Sequence, residues 1–196
     1  MQKRPGIGQC VRVGLLAAAL AGAPVFADDY APVNQFLRSG QLSQAMATAE
    51  QYLAKNPRDP QMRFLKGLIQ QDSGKPADAI ATYSRLIEDY PELPEPYNNV
   101  AVLYAAQGQF DKARSALEMA TRTNRGYAIA HENLGDVYAR LASQSYSQAL
   151  QLDAGNTALA PKLALVRQLI GSPAPARTTP AMDKTTPPAP AASAAK

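Results

Sequence analysis

The sequence predicts an all-α protein, a solenoid of three to four stacked helical hairpins. Three observations carry that prediction. Glycines fall at Gly40, Gly74 and Gly108, two intervals of 34 residues. Alanines keep the same period at Ala45, Ala79 and Ala113, as do the small residues Gly67, Ala101 and Gly135. Around Gly108, Tyr97, Val100, Ala101 and Tyr104 on one side and Phe110, Ala113, Leu117 and Ala120 on the other recur at helical spacing. Apolar residues at i, i+3, i+4 and i+7 mark a helix with one buried stripe.

The residue types explain the period. A glycine between two stripes fits a left-handed residue past a helix C-terminus, because it has no Cβ to clash. Gly67, Ala101 and Gly135 are small enough for a neighbouring helix to approach closely, and Ala45, Ala79 and Ala113 do the same on the second helix of each pair. Tyr83, Leu117 and Tyr138 supply the bulk between them. Pro57 and Pro91, also 34 apart, stop the second helix, since proline has no N–H and clashes with the preceding turn. A single hairpin cannot bury its stripe alone, and stacked neighbours make the core.

Two helices per 34-residue unit, with these glycines, alanines and prolines in register and Tyr104 and Tyr138 one period apart, resemble the tetratricopeptide repeat. The resemblance covers residues 29–153, in units at about 29–57, 60–91, 94–125 and 128–153. It implies an α-α solenoid whose first helices line a concave groove for extended peptides or partner helices. The implied role, as in small exported bacterial members of the family, is to hold other proteins in assemblies without catalysis.

Along the chain, residues 1–27 read as a signal peptide. Lys3, Arg4 and Arg12 give a positive start, residues 13–25 are apolar and alanine-rich, and Val25-Phe26-Ala27 offers a cut site. The alternative is an uncleaved anchor, although the run is short of the roughly 20 residues a membrane span needs. The sole cysteine, Cys10, precedes the run, so a lipid anchor is not expected and the mature chain has no disulfide. Export places the protein in the periplasm.

The first unit opens with a short helix over YAPVNQFLRS, with Asp28 or Asp29 as its cap and Pro32 in its first turn, and continues with a longer helix over LSQAMATAEQYLAKN. The second opens with the cap Asp59 and then Pro60. In it, Arg63, Lys66 and Gln70 take places that the repeat usually fills with apolar residues, and Phe64, Leu65, Leu68 and Ile69 form a rotated stripe. The third unit has Arg125 where a closing proline is due, and Gly126 is left to end its helix.

The fourth unit breaks the pattern. Ala142 stands where the next turn glycine is due, and no glycine or proline except the in-register Gly135 interrupts the stretch to Ala154. Leu134, Val137, Tyr138, Leu141, Ala142, Ser145, Ala149 and Leu152 keep one stripe. The prediction is one fused helix of about 25 residues, about 37 Å long; the alternative is a short hairpin turning near residues 143–145. Gly155-Asn156-Thr157 ends it. A capping helix over 157–170 follows, with Pro161 in its first turn and Leu159, Leu163, Val166, Leu169 and Ile170 as its stripe. Residues 171–196 are rich in proline and alanine and hold no aromatic residue, so they read as a disordered tail, a spacer or a reach toward a partner.

The composition excludes several functions. Residues 28–170 carry 14 Lys+Arg and 15 Asp+Glu, a net charge of −1, and lack the basic stripe that nucleic-acid binding needs. His131 is the only histidine and reads as a partly buried structural residue. With no cysteine in the mature chain it cannot complete an ordinary zinc site. No nucleophile elbow or phosphate loop is present, and Glu132 and Asp136, four apart on one helix, read as a solvated face. No cofactor, metal or catalytic residue is expected, and the chain is not read as an enzyme.

The candidate binding surface is the groove implied by the resemblance. Its residues are Leu68 and Gln71 in the second unit, Asn98 and Asn99 in the third, and Glu132, Asn133, Asp136 and Arg140 in the fourth. Asn99 and Asn133 are one period apart and suit an extended backbone, since an amide both donates and accepts. Glu95 and Ile129 stand where the family's carboxylate-clamp members need positive charge, which speaks against a clamp of that kind. The expected partner is an envelope protein; the rival role is homodimerisation through the unpaired half of the long helix.

Overall fold

Three left-handed glycines set the hairpin geometry. In this computed structural model, which describes residues 29–171 and Thr178, Gly40, Gly74 and Gly108 have φ of 71°, 71° and 73°. Each ends its helix in the same way. Gly108 N donates to Ala105 O and Gln109 N to Tyr104 O, at 3.0 and 2.9 Å, and the same pair of bonds recurs at Gly40–Gln41 and Gly74–Lys75. This is the Schellman arrangement, which satisfies carbonyls that a helix end leaves open. The expected signal peptide over residues 1–27 and the tail beyond Gly171 lie outside the described residues, Thr178 apart.

The described residues form eight helices: α1 Ala31–Arg38, α2 Leu42–Lys55, α3 Pro60–Asp72, α4 Pro76–Asp89, α5 Pro94–Ala106, α6 Phe110–Thr123, α7 Ala128–Leu152 and α8 Leu159–Gly171. Among the described residues there are no strands. Proline occupies the first position of α3, α4 and α5, where its missing N–H costs nothing. Asp59 caps α3, its carboxylate accepting from Met62 N at 2.7 Å. The cap expected for α1 does not form at Asp29, because the helix starts from Tyr30 and no side chain caps it. Pro57 and Pro91 follow the C-caps Asn56 and Tyr90, and so close α2 and α4. Gly126 does not end α6 in a left-handed turn. The C-cap is Asn124, whose side chain accepts from Gly126 N at 2.9 Å.

Successive helices pack in order, and first helices also meet across units, α1 with α3 and α5 with α7. The core is a run of linked clusters. Val33, Ala45, Ala49, Met62, Leu65 and Ile69 join the first two units. Phe64, Tyr83, Leu86, Val100 and Leu103 join the second to the third, and Tyr97, Ala101, Leu117, Ala130 and Val137 join the third to the fourth. Gly67 shows why the small position exists: a Cβ there would overlap the Tyr83 ring. The rotated stripe of α3 places Phe64, Leu65 and Ile69 in the core. The polar residues beside it pair across helices, Arg63 with Asp89, Lys66 with Glu50 at 3.0 Å, and Gln70 with Thr82 at 2.7 Å.

The fourth unit is a single 25-residue helix, α7, as the missing glycine at position 142 requires. Its C-terminal half is not unpaired, because α8 returns along it. Leu163 is the buried anchor of α8, whereas Leu169 points outward and is 64% exposed. Three expectations fail here for one reason: no hairpin turn follows at position 142, so no second helix returns over the N-terminal half of α7. Tyr138 is 47% exposed, and its hydroxyl donates to Glu118 Oε1 at 3.2 Å. Gly135 is exposed, with no heavy atom near enough to meet a Cβ. His131 is exposed rather than partly buried, its Nε2 3.1 Å from Arg125 O. Leu152, at the end of the expected stripe, is 79% exposed.

Candidate functional site

The predicted groove residues separate into three groups. Asn98, Asn99 and Asn133 are buried, at 0%, 0% and 3% exposure. Their expected place in an open groove is therefore corrected. The N-terminal half of α5 is covered by α4, α6 and α7, and an amide there has protein on every side. What they make instead is a relay. Asn133 Nδ2 donates to Asn98 Oδ1 at 2.8 Å, Asn98 Nδ2 to Asn99 Oδ1 at 3.2 Å, and Asn99 Nδ2 to the Tyr83 hydroxyl at 3.3 Å. The relay crosses from α7 through α5 to α4 and ties three units with polar bonds inside an apolar core. Buried amides unpaired would each cost about 1–3 kcal/mol, so the relay holds the stacking register as well as the side chains.

Leu68 and Gln71 are half-buried on α3. Leu68 packs against the core clusters on both sides. Gln71 has a buried Oε1 with no hydrogen-bond partner among the described residues. Glu132, Asp136 and Arg140 are exposed on α7. The Arg140 guanidinium lies 5.7 Å from the centroid of the Phe110 ring on α6. Glu132 and Asp136 are the exposed acidic members of the predicted set.

The titratable groups near this layer respond to burial. Burial pushes the Tyr83 phenol far above its ordinary range, with the charge on Asp72 adding to the shift and the Asn99 bond opposing it. Burial also raises the Asp72 and Glu95 carboxyls. Glu95, in the first turn of α5, has a buried Oε2 with no hydrogen-bond partner among the described residues. Tyr83 is the member of the relay that sequence reasoning missed. Its place in the repeat predicts bulk alone, and its hydroxyl is the end of the chain of amides. Two adjacent asparagines in an otherwise apolar run, PYNNVAVL, were the available signal for buried polar bonding.

No group of three or more His, Cys, Asp or Glu among the described residues converges as a metal site. No helix among them is long and apolar enough to cross a membrane.

Two tetratricopeptide repeat family models match the chain, at residues 30–94 and 70–136, and together span more than half of it. The chain is 30% identical over 95 residues to a probable biofilm formation methyltransferase, WspC, of Pseudomonas putida, covering 48% of this chain and 22% of that protein. It is 36% identical over 75 residues to the TPR repeat-containing thioredoxin TTL4 of Arabidopsis thaliana, covering 38% of this chain and 11% of that protein. The likeness thus spans about a quarter or less of these relatives. Solved structures agree on the fold. A tetratricopeptide repeat protein from Parabacteroides merdae aligns with a TM-score of 0.54 at 20% identity, over 73% of this chain and 59% of that one. MamA aligns with a TM-score of 0.53 at 19% identity, over 71% and 79%. With its 34-residue period, its three left-handed turn glycines and these matches, the chain belongs to the tetratricopeptide repeat family.

Proposed function

We propose that this protein is a non-catalytic scaffold of the cell envelope that holds a partner's extended segment or helix along the face built by the first helices. The tetratricopeptide repeats support protein–protein interaction in general. The observation that carries the finer reading is the packing of first helix against first helix, α1 on α3 and α5 on α7, with Glu132 and Asp136 exposed on the last of them. The basic start, apolar run and small-residue site within residues 1–27 support export. The test is cross-linking in envelope extracts with wild type and with Glu132→Lys/Asp136→Lys. Loss of discrete cross-linked products in the variant, with unchanged melting, agrees with the proposal. Identical products in both sink the groove. N-terminal sequencing of the exported protein should begin at Asp28.

A second reading, self-association, is favoured by the exposed Leu152, Leu165 and Leu169 at the α7–α8 end. Sedimentation at two concentrations separates it: a tight dimer supports it, and a monomer at both removes it.

A further inference from the structure

Where α7 runs on without a turn, the array has an open pocket of about 320 Å³. Phe110 of α6, Arg140, Ser143 and Gln144 of α7, and Arg167 and Ile170 of α8 line it, with Gly171 at its edge. The residues of α7 lie at i, i+3 and i+4, as do those of α8, so each helix offers one face. Arg140 lies against the Phe110 ring, 5.7 Å from its centroid, and Arg167 Nη2 is 3.4 Å from Ser147 Oγ. The ion pairs among the described residues join Arg63 to Asp89, Lys66 to Glu50, and Arg114 to Asp111 and Glu118, and involve neither Arg140 nor Arg167. No Asp or Glu lines the pocket. Asp111, next to Phe110 in sequence, is engaged by Arg114 at 3.5 Å. α6 begins at Phe110, so the positive end of its dipole also points this way, while the last carbonyls of α8 oppose it at Gly171.

We propose that this pocket docks an acidic segment of a partner protein, a carboxylate with a bulky apolar side chain beside it. The two guanidinium forks match carboxylate geometry, Ser143 and Gln144 add donors, and Phe110 and Ile170 take the apolar neighbour. A nucleic acid fits poorly, because residues 28–170 carry a net charge of −1. This site goes beyond the groove reading, since Glu132 and Asp136 do not line the pocket, and each can fail without the other.

Fluorescence anisotropy with the full chain at low ionic strength tests it. The probes are two labelled peptides of equal length in Gly-Ser flanks, one carrying Glu-Glu-Leu-Phe and the other Gln-Gln-Leu-Phe. The acidic peptide should bind at least about tenfold more tightly. Arg140→Gln/Arg167→Gln should lose that preference while melting as wild type does. Arg38→Gln/Arg85→Gln, which removes two exposed arginines elsewhere, should keep it. Equal affinities for the two peptides, no binding of either, an equal loss in the control variant, or tighter binding of a labelled oligonucleotide overturns the proposal.

Discussion

Asn133 donates its side-chain amide to Asn98 at 2.8 Å, across 35 residues of sequence and inside the core. The bond joins the last regular unit to the long helix that replaces the next one. Asn133→Ala leaves the Asn98 carbonyl oxygen buried without this donor. The expected loss is about 1–3 kcal/mol by urea denaturation. A double-mutant cycle with Asn98→Ala should give a coupling of at least about 0.5 kcal/mol. Strict additivity would mean that the two amides do not act on each other.

Three glycines of one repeat protein should respond to substitution in three ways. Gly67→Ala pushes a Cβ into the buried Tyr83 ring and destabilises the fold. Gly108→Val has room for its side chain but is forced to a φ of 73°, at a cost of roughly 1–2 kcal/mol or more. Gly135→Ala meets nothing, sits inside α7 and gains helix propensity, so it should stabilise by about 0.5–1 kcal/mol. Thermal denaturation of the three variants gives the order. A destabilising Gly135→Ala would mean that a neighbour does pack there.

The turn glycines, the middle of α7 and the buried asparagines show how much of the fold and of the site is legible in the sequence. The period of 34 placed the turn glycines and the fused α7 correctly, because a left-handed residue is a local demand that sequence records directly. Gly135, Tyr138 and His131 do not repeat the roles of their counterparts in earlier units, because α7 runs on past position 142 and the helix that returns along it stops short of them. Asn98, Asn99 and Asn133 depart from expectation in the opposite sense, being buried where an open groove is expected. Their register was right, but whether a position on a first helix is open or covered depends on how closely three neighbours stack, which the period does not contain.

Glu95 should make stability depend on pH. Burial raises its folded pKa above the unfolded value, so the native state binds its proton more tightly. Its contribution is favourable below the ordinary carboxylate range and is lost as pH rises through the raised folded value. Glu95→Gln should therefore raise the melting temperature at pH 7 and change it little in acid. An equal change at both values would show that the side chain is effectively solvated.

The two leucines of α8 separate packing from exposure. Leu163→Ala removes the buried anchor and should cost about 2–5 kcal/mol if α8 folds with the array. Leu169→Ala, at a site 64% exposed, should stay within about 0.5 kcal/mol of wild type. Equal effects in calorimetry would mean that α8 does not dock through Leu163.

The central claim is that the array holds a partner on the face of its first helices. The most direct measurement places a photoreactive residue at Asp136 on α7 and, separately, at Arg85 on α4, both exposed. Irradiation in envelope extracts should give a discrete protein adduct from position 136 and none of the same mass from position 85. The same adducts from both positions, or none from position 136, would contradict it.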